Sequence, residues 1–132
     1  MTIDEKLKVL SDYIRENVVY NGQHKGTADD YYVDALTGFK TLRGDCLINN
    51  GMSRVCCERL DIPTIAVNRI NNKDGHTWFL ANTGNGWYHY DNWIRKGGPY
   101  IHKWTDAQMD EYNKKTHASE YDKSLYPSTP NE

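Results

Sequence analysis

The sequence has no run of basic residues longer than the pair Lys114-Lys115, and its charges nearly cancel at a formal net charge of −2. No stripe of cations is left to track a phosphate backbone, so nucleic acid is not an expected partner. Long apolar runs are also missing, and the first residues lack the apolar core of a secretory leader. No membrane insertion is expected, and the compartment stays open. Cysteine is scarce: there are 3, an odd number that cannot all pair. Cys56 and Cys57 are adjacent and lie ten residues or more along a predicted helix from Cys46, roughly 15 Å away at about 1.5 Å per residue. That is too far for a bridge. The adjacent pair also lacks the gap of a zinc-binding cysteine pair, so neither a metal nor a cofactor is expected.

What is present fits one domain, since 132 residues can bury a single core. Ile3, Leu7, Leu10, Ile14 and Val18 recur at helical spacing behind a Thr2/Glu5 capping box and predict a helix over 3–18. Thr27 and Asp30 can cap a second, short helix through Leu36, stopped by Gly38. A central helix follows over 46–60, with Ile48, Met52, Val55, Cys56 and Leu60 on one face and Pro63 just beyond it. This places Cys56 inward and turns Cys57 about 100° away.

Segments 64–70, 76–82 and 87–93 read as strands, and 100–104 as a fourth. The loop Thr83-Gly84-Asn85-Gly86 is a hairpin signal. Thr105 and Gln108 then cap a helix to about Lys115. From His117 periodicity is lost and the chain ends Pro-Ser-Thr-Pro-Asn-Glu, the composition of a linker or frayed end. The expected organisation is a domain over 1–116 and a tail or linker over 117–132. Its fold class is α+β, with the central helix packed on a three- to four-stranded antiparallel sheet and the first helix beside it.

Cys46 follows Arg43-Gly44-Asp45 and opens the central helix, where unpaired backbone N–H groups favour a thiolate. His76 opens one strand and Asp91 ends the next. With Thr83 to Gly86 as a four-residue loop, Asp91 falls opposite Trp78 and diagonal to His76, roughly 5 to 7 Å between backbones. A tight Asn85-Gly86 turn would slide Asp91 opposite Leu80 instead. His89 shares a face with Asp91 by period two and reads as a sheet-surface histidine in preference to a partner supporting the triad. The tryptophans are read mainly as packing, with Trp78 assigned to a substrate groove.

Gly44-x-Cys46, a helix ending Leu60-x-Ile62-Pro63, His76-x-Trp78 and Gly86-Trp87-Tyr88-x-x-Asp91 together resemble the core of the transglutaminase-like superfamily. Two departures are Asp61, where the family often has glycine before Ile-Pro, and Asn50-Gly51, where it often has a small residue. Gly51 in mid-helix implies a packing reason, such as close approach to the histidine strand. The resemblance implies a papain-type triad of Cys46, His76 and Asp91, acting through a thioester on a peptide or glutamine-amide carbonyl. The oxyanion would be held by the Cys46 backbone N–H and an upstream donor from Tyr20, Asn21 or Gln23, with Gln23 preferred.

Hydrolysis is the expected outcome, with protein cross-linking and a non-catalytic binding or scaffold module as rivals. The expected partner is a peptide or protein substrate, and the domain could belong to a longer multidomain chain. The tripeptide Arg43-Gly44-Asp45 precedes the nucleophile helix and is not read as an adhesion signal.

Overall fold

The computed structural model describes residues 1–27, 30–93 and 98–131. Helix α1 spans Ile3–Asn17. Thr2 Oγ1 accepts from the Glu5 N–H at 3.1 Å and Glu5 Oε1 accepts from the Thr2 N–H at 3.2 Å, which closes the expected capping box. Strand β1 (Val19–Tyr20) then pairs in parallel with β2 (Arg43–Gly44). Between them α2 spans Tyr31–Thr41 with Asp30 as its N-cap. This helix runs through Gly38 rather than stopping there. A Cβ at Gly38 would lie 2.3 Å from Met52 Sδ, so glycine here permits close helix packing. The stop falls at Leu42, whose φ of 54° is left-handed.

Helix α3 spans Cys46–Arg59 and is buried at Ile48, Asn49, Asn50, Gly51, Met52, Ser53 and Cys57. Its inner line is therefore Asn49, Ser53 and Cys57 as well as Ile48 and Met52, and the apolar stripe alone misled the reading of its last turn. Cys57 is fully buried in the core, while Cys56 is only partly buried. This reverses the expected orientation of the two. Gly51 faces α2, not the histidine strand: a Cβ there would meet the Tyr31 carbonyl oxygen at 2.8 Å and Asp34 Cβ at 3.0 Å. After α3, Asp61 sits at a φ of 58°, a conformation that glycine adopts without strain.

Strands β3 (Thr64–Asn68), β4 (Thr77–Asn82), β5 (Trp87–Asp91) and β6 (Ile101–Trp104) form an antiparallel sheet in that order. Phe79 pairs with Tyr90 and Asn82 with Trp87, and the Thr83 N–H bonds the Gly86 carbonyl at 3.0 Å. This is the four-residue loop, and its register brings Asp91 level with Trp78. Alternation along β4 sends Phe79 and Ala81 into a core with α1 and α3. Trp78 and Leu80 join a second core with Val67, Ile101, Met109 and Tyr121 on the opposite face. Met109 belongs to α4, Asp106–Thr116, which begins with a Thr105/Gln108 capping box.

Residues 117–131, read from composition as a tail or linker, are laid back on the domain. The Glu120 carbonyl accepts from the Ile70 N–H at 2.9 Å, Tyr126 Oη from the Asn68 N–H at 3.1 Å, and Thr129 bonds Asp106. A few specific anchors hold a segment that has no periodic pattern to announce it. Among the described residues no helix is long and apolar enough to cross a membrane.

Candidate active site

Cys46 is the first residue of α3, and Asp45 before it caps the helix by accepting from the Ile48 N–H at 3.1 Å. The same carboxylate oxygen accepts from the Gly26 N–H at 3.1 Å, and the Asp45 N–H reaches the His24 carbonyl at 3.0 Å. The upstream loop is thus stitched to the turn that presents the cysteine. A backbone group of Thr77 hydrogen-bonds the Cys46 thiol, which sets the sulfur beside the residue that follows His76.

His76 and Asp91 are both buried, with Nε2 of the imidazole 2.7 Å from Asp91 Oδ2. The other Asp91 oxygen accepts from the Trp93 N–H at 3.1 Å, so the carboxylate is held from two sides. The imidazole lies between two indoles, with ring centroids 5.7 Å from Trp78 and 4.9 Å from Trp93. With Nε2 spent on Asp91, Nδ1 is the ring nitrogen left to exchange a proton. Cys46 and His76 line one cleft of about 680 Å³ together with Tyr20 and Trp93.

Burial is the largest influence on the Cys46 thiol and pushes its pKa up. The Thr77 bond opposes it, while the charges of Asp45 and Asp91 add to it. The sequence reading expected the helix start to yield a thiolate, but desolvation outweighs that here. A neutral thiol needs its proton removed as it attacks, which is a task for an adjacent imidazole.

Lys25, Arg69 and Lys73 also line the cleft, against the carboxylates of Asp45 and Asp74. Arg69 donates to the Ala118 carbonyl at 3.0 Å and to that of Asp74. Both acceptors are neutral, so its positive charge stays at the cleft. Among the described residues no group of three His, Cys, Asp or Glu side chains could hold a metal ion.

Two assigned residues are not brought to the cleft. Trp78 is 1% exposed and packs in the second core. It backs the His76 ring rather than lining a groove, because β4 turns it to the covered face of the sheet. Gln23 is exposed, its N–H bonds Asn21 Oδ1 at 2.9 Å in a turn, and it is absent from the lining. Tyr20, another of the upstream candidates, does line the cleft, with its ring 4.8 Å from that of Trp93.

His89 is not a surface residue but fully buried. The sequence reading also missed a polar clamp. Asn49 donates to the Asn92 carbonyl at 3.3 Å, Asn92 to Ser53 Oγ at 2.9 Å, and Asn50 to Thr77 Oγ1 at 3.4 Å. These bonds tie α3 to the strands bearing His76 and Asp91. Polar residues at 49, 50 and 53 on a helix otherwise apolar inside were the available signal.

Fold and geometry define an α+β domain of the papain and transglutaminase-like class. The sequence profile of the Transglutaminase-like superfamily matches residues 1–92, and the chain belongs to that superfamily. No curated protein matches it in sequence. Among solved structures it is similar to a candidate cysteine protease from Cytophaga hutchinsonii, with 21% identity and a TM-score of 0.54 over 65% of this chain and 30% of that one. It is also similar to a structure described as a TGase, with 14% identity and a TM-score of 0.58 over 76% of this chain and 29% of that one. The chain thus spans under a third of the length of either protein.

Proposed function

We propose that the protein is a thiol-dependent acyl-transfer enzyme in which Cys46 is the nucleophile, His76 its base and Asp91 the group that orients the histidine. The observation that carries this reading is the 2.7 Å bond from His76 Nε2 to Asp91, which leaves Nδ1 for proton exchange in a cleft shared with Cys46. As Cys46 Sγ bonds to the acyl carbon, His76 Nδ1 takes the thiol proton and the carbonyl oxygen becomes an oxyanion. When the oxyanion collapses, the C–N bond breaks, the leaving amine receives that proton from His76, and a thioester remains. Water then attacks the thioester while His76 takes its proton, and the thiol is restored as the acid departs.

The acceptor is water rather than a lysine side chain, because Lys25, Arg69 and Lys73 outnumber the carboxylates of Asp45 and Asp74 at the cleft and disfavour an incoming ammonium group. The donor is a peptide or glutamine amide. Cross-linking is the second reading, supported by the fold likeness to a TGase.

A glutamine-containing peptide incubated with a lysine analogue separates the outcomes by mass spectrometry. Release of acid and ammonia without amine incorporation supports hydrolysis, and amine incorporation supports cross-linking. Failure to trap a Cys46 acyl adduct with an activated ester, in protein shown to be folded, refutes the enzyme reading and leaves a binding or scaffold module.

A further inference from the structure

Behind the cleft lies a second imidazole that the acyl-transfer scheme does not use. His89 is 0% exposed, and both its ring nitrogens are committed: Nδ1 accepts from Trp78 Nε1–H at 3.0 Å and Nε2 faces Asp106 Oδ1 at 2.8 Å. An indole nitrogen can only donate, so His89 Nδ1 must be bare and the proton of the neutral ring sits on Nε2. Asp106 is held in turn by Tyr121 Oη at 2.5 Å and by the Thr129 N–H at 3.0 Å, and its own N–H bonds Thr129 Oγ1 at 2.6 Å. Burial works against the Asp106 charge, but the bonds from His89, Tyr121 and Thr129 outweigh it and hold the carboxyl well below the usual range.

The chain of contacts ends at the site. Trp78, whose only polar atom is fixed by His89, is the indole that stacks against the His76 ring, with planes 28° apart. Tyr121 closes the same cluster edge-on to Trp78 at 5.9 Å and tilted on His89 at 5.0 Å. The outer end of the relay, Asp106, Tyr121 and Thr129, lies beyond residues 1–92, which match the family profile.

We infer that Trp78 is a positioning residue, whose indole is locked by the His89–Asp106 pair and the folded-back segment 117–131 so that it sets the plane of the His76 ring toward Cys46. The inference rests on the acyl-transfer reading above. A rotatable indole would leave His76 held by Asp91 at one edge and by Trp93 on one face but free to rock toward the other, and small displacements of a reacting group are costly.

The test is the pH profile of iodoacetamide labelling at Cys46, read alongside the thermal midpoint, in the parent, H76A, H89L, H89Q and Y121F. His89→Leu removes both bonds and should lower labelling near neutral pH about tenfold, moving the profile toward that of His76→Ala. His89→Gln keeps an acceptor for Trp78 and a donor for Asp106, and should return the profile to the parent's shape. A purely structural role would shift the thermal midpoint and leave the profile of the folded protein unchanged. An H89L profile that overlays the parent therefore overturns the inference.

If His89→Leu does not fold, Tyr121→Phe carries the test. It keeps the ring contacts, loses only the hydroxyl on Asp106, and should shift the profile in the same direction by a smaller amount. Overlay with the parent again overturns the inference. Should His76→Ala itself overlay the parent while H89L differs, the acyl-transfer reading fails instead.

Discussion

Two histidine–aspartate pairs meet at β5, which carries Asp91 of one and His89 of the other, and have nearly the same geometry, at 2.7 Å for His76–Asp91 and 2.8 Å for His89–Asp106. They differ in what the second ring nitrogen meets. At His76 it is left to a cleft that also holds a cysteine, whereas at His89 it is taken by the Trp78 indole. The same contrast divides the cysteines, with Cys46 on the cleft and Cys57 sealed in the core beside Met52 and Ile62. A side chain's chemistry follows from which of its atoms the fold leaves uncommitted.

The sharpest way to break this comparison is to remove each cleft residue and look for loss of chemistry without loss of fold. Cys46→Ala should abolish acyl-adduct formation. His76→Ala should lower the acylation rate about 10²- to 10⁴-fold, the usual worth of a positioned base, while circular dichroism stays unchanged. Comparable rates for His76→Ala and the parent would end the distinction between the pairs.

Asp91→Asn should come next, with a loss on the order of 10²-fold, because the amide can still bond the ring but no longer stabilises its charged form. A single-turnover assay with an activated ester, where product release does not intervene, would read this. An unaffected Asp91→Asn would move the orienting role elsewhere.

The cysteines sharpen the comparison through stability. Cys57→Ser adds a hydroxyl to a fully buried site and should cost about 1 to 3 kcal/mol in urea denaturation. Cys56→Ser, only partly buried, should stay within about 0.5 kcal/mol. The reverse order would contradict the packing of α3.

The smallest effect is on pH dependence. Burial pushes the Cys57 thiol up to about 12, above the roughly 8.5 of an exposed thiol. The folded chain therefore keeps a proton that the unfolded chain has released. That contribution to stability is complete below about pH 8.5 and is lost as pH rises toward 12. The parent should accordingly lose more stability than Cys57→Ala between pH 8 and 10.5, as measured by denaturation at each pH; equal losses would show that the thiol is not sealed.

Much of this arrangement was legible in the chain. Caps at Thr2 and Thr105 announced α1 and α4, since each is a local bond between residues three apart. The pairing of His76 with Asp91 was legible because a four-residue hairpin loop fixes which residue lies across from Trp78. What failed did so where partners are remote in sequence. His89 looked like a surface residue because Asp106 and Tyr121, which bury and bond it, lie 17 and 32 positions away. The apolar stripe of α3 points to Cys56 rather than Cys57, but the inner line of the helix also runs through the polar Asn49 and Ser53. Gly38 resembles a stop because glycine commonly ends helices, whereas here it admits Met52.

The order β3-β4-β5-β6 also affects how the chain can be shortened. The family profile ends at residue 92, just after β5, while β6 begins at Ile101. A chain cut at that boundary would keep Cys46, His76 and Asp91 yet turn β5 from an interior strand into an open edge. The backbone of Trp87–Asp91 would then lie bare, with Trp87 and His89 stripped of the cover that Trp104, Asp106 and Tyr121 give that face, ready to recruit the same strand from another copy. The last 40 residues would thus act as a guard against self-association, and a truncated domain would be expected to aggregate before it could be assayed.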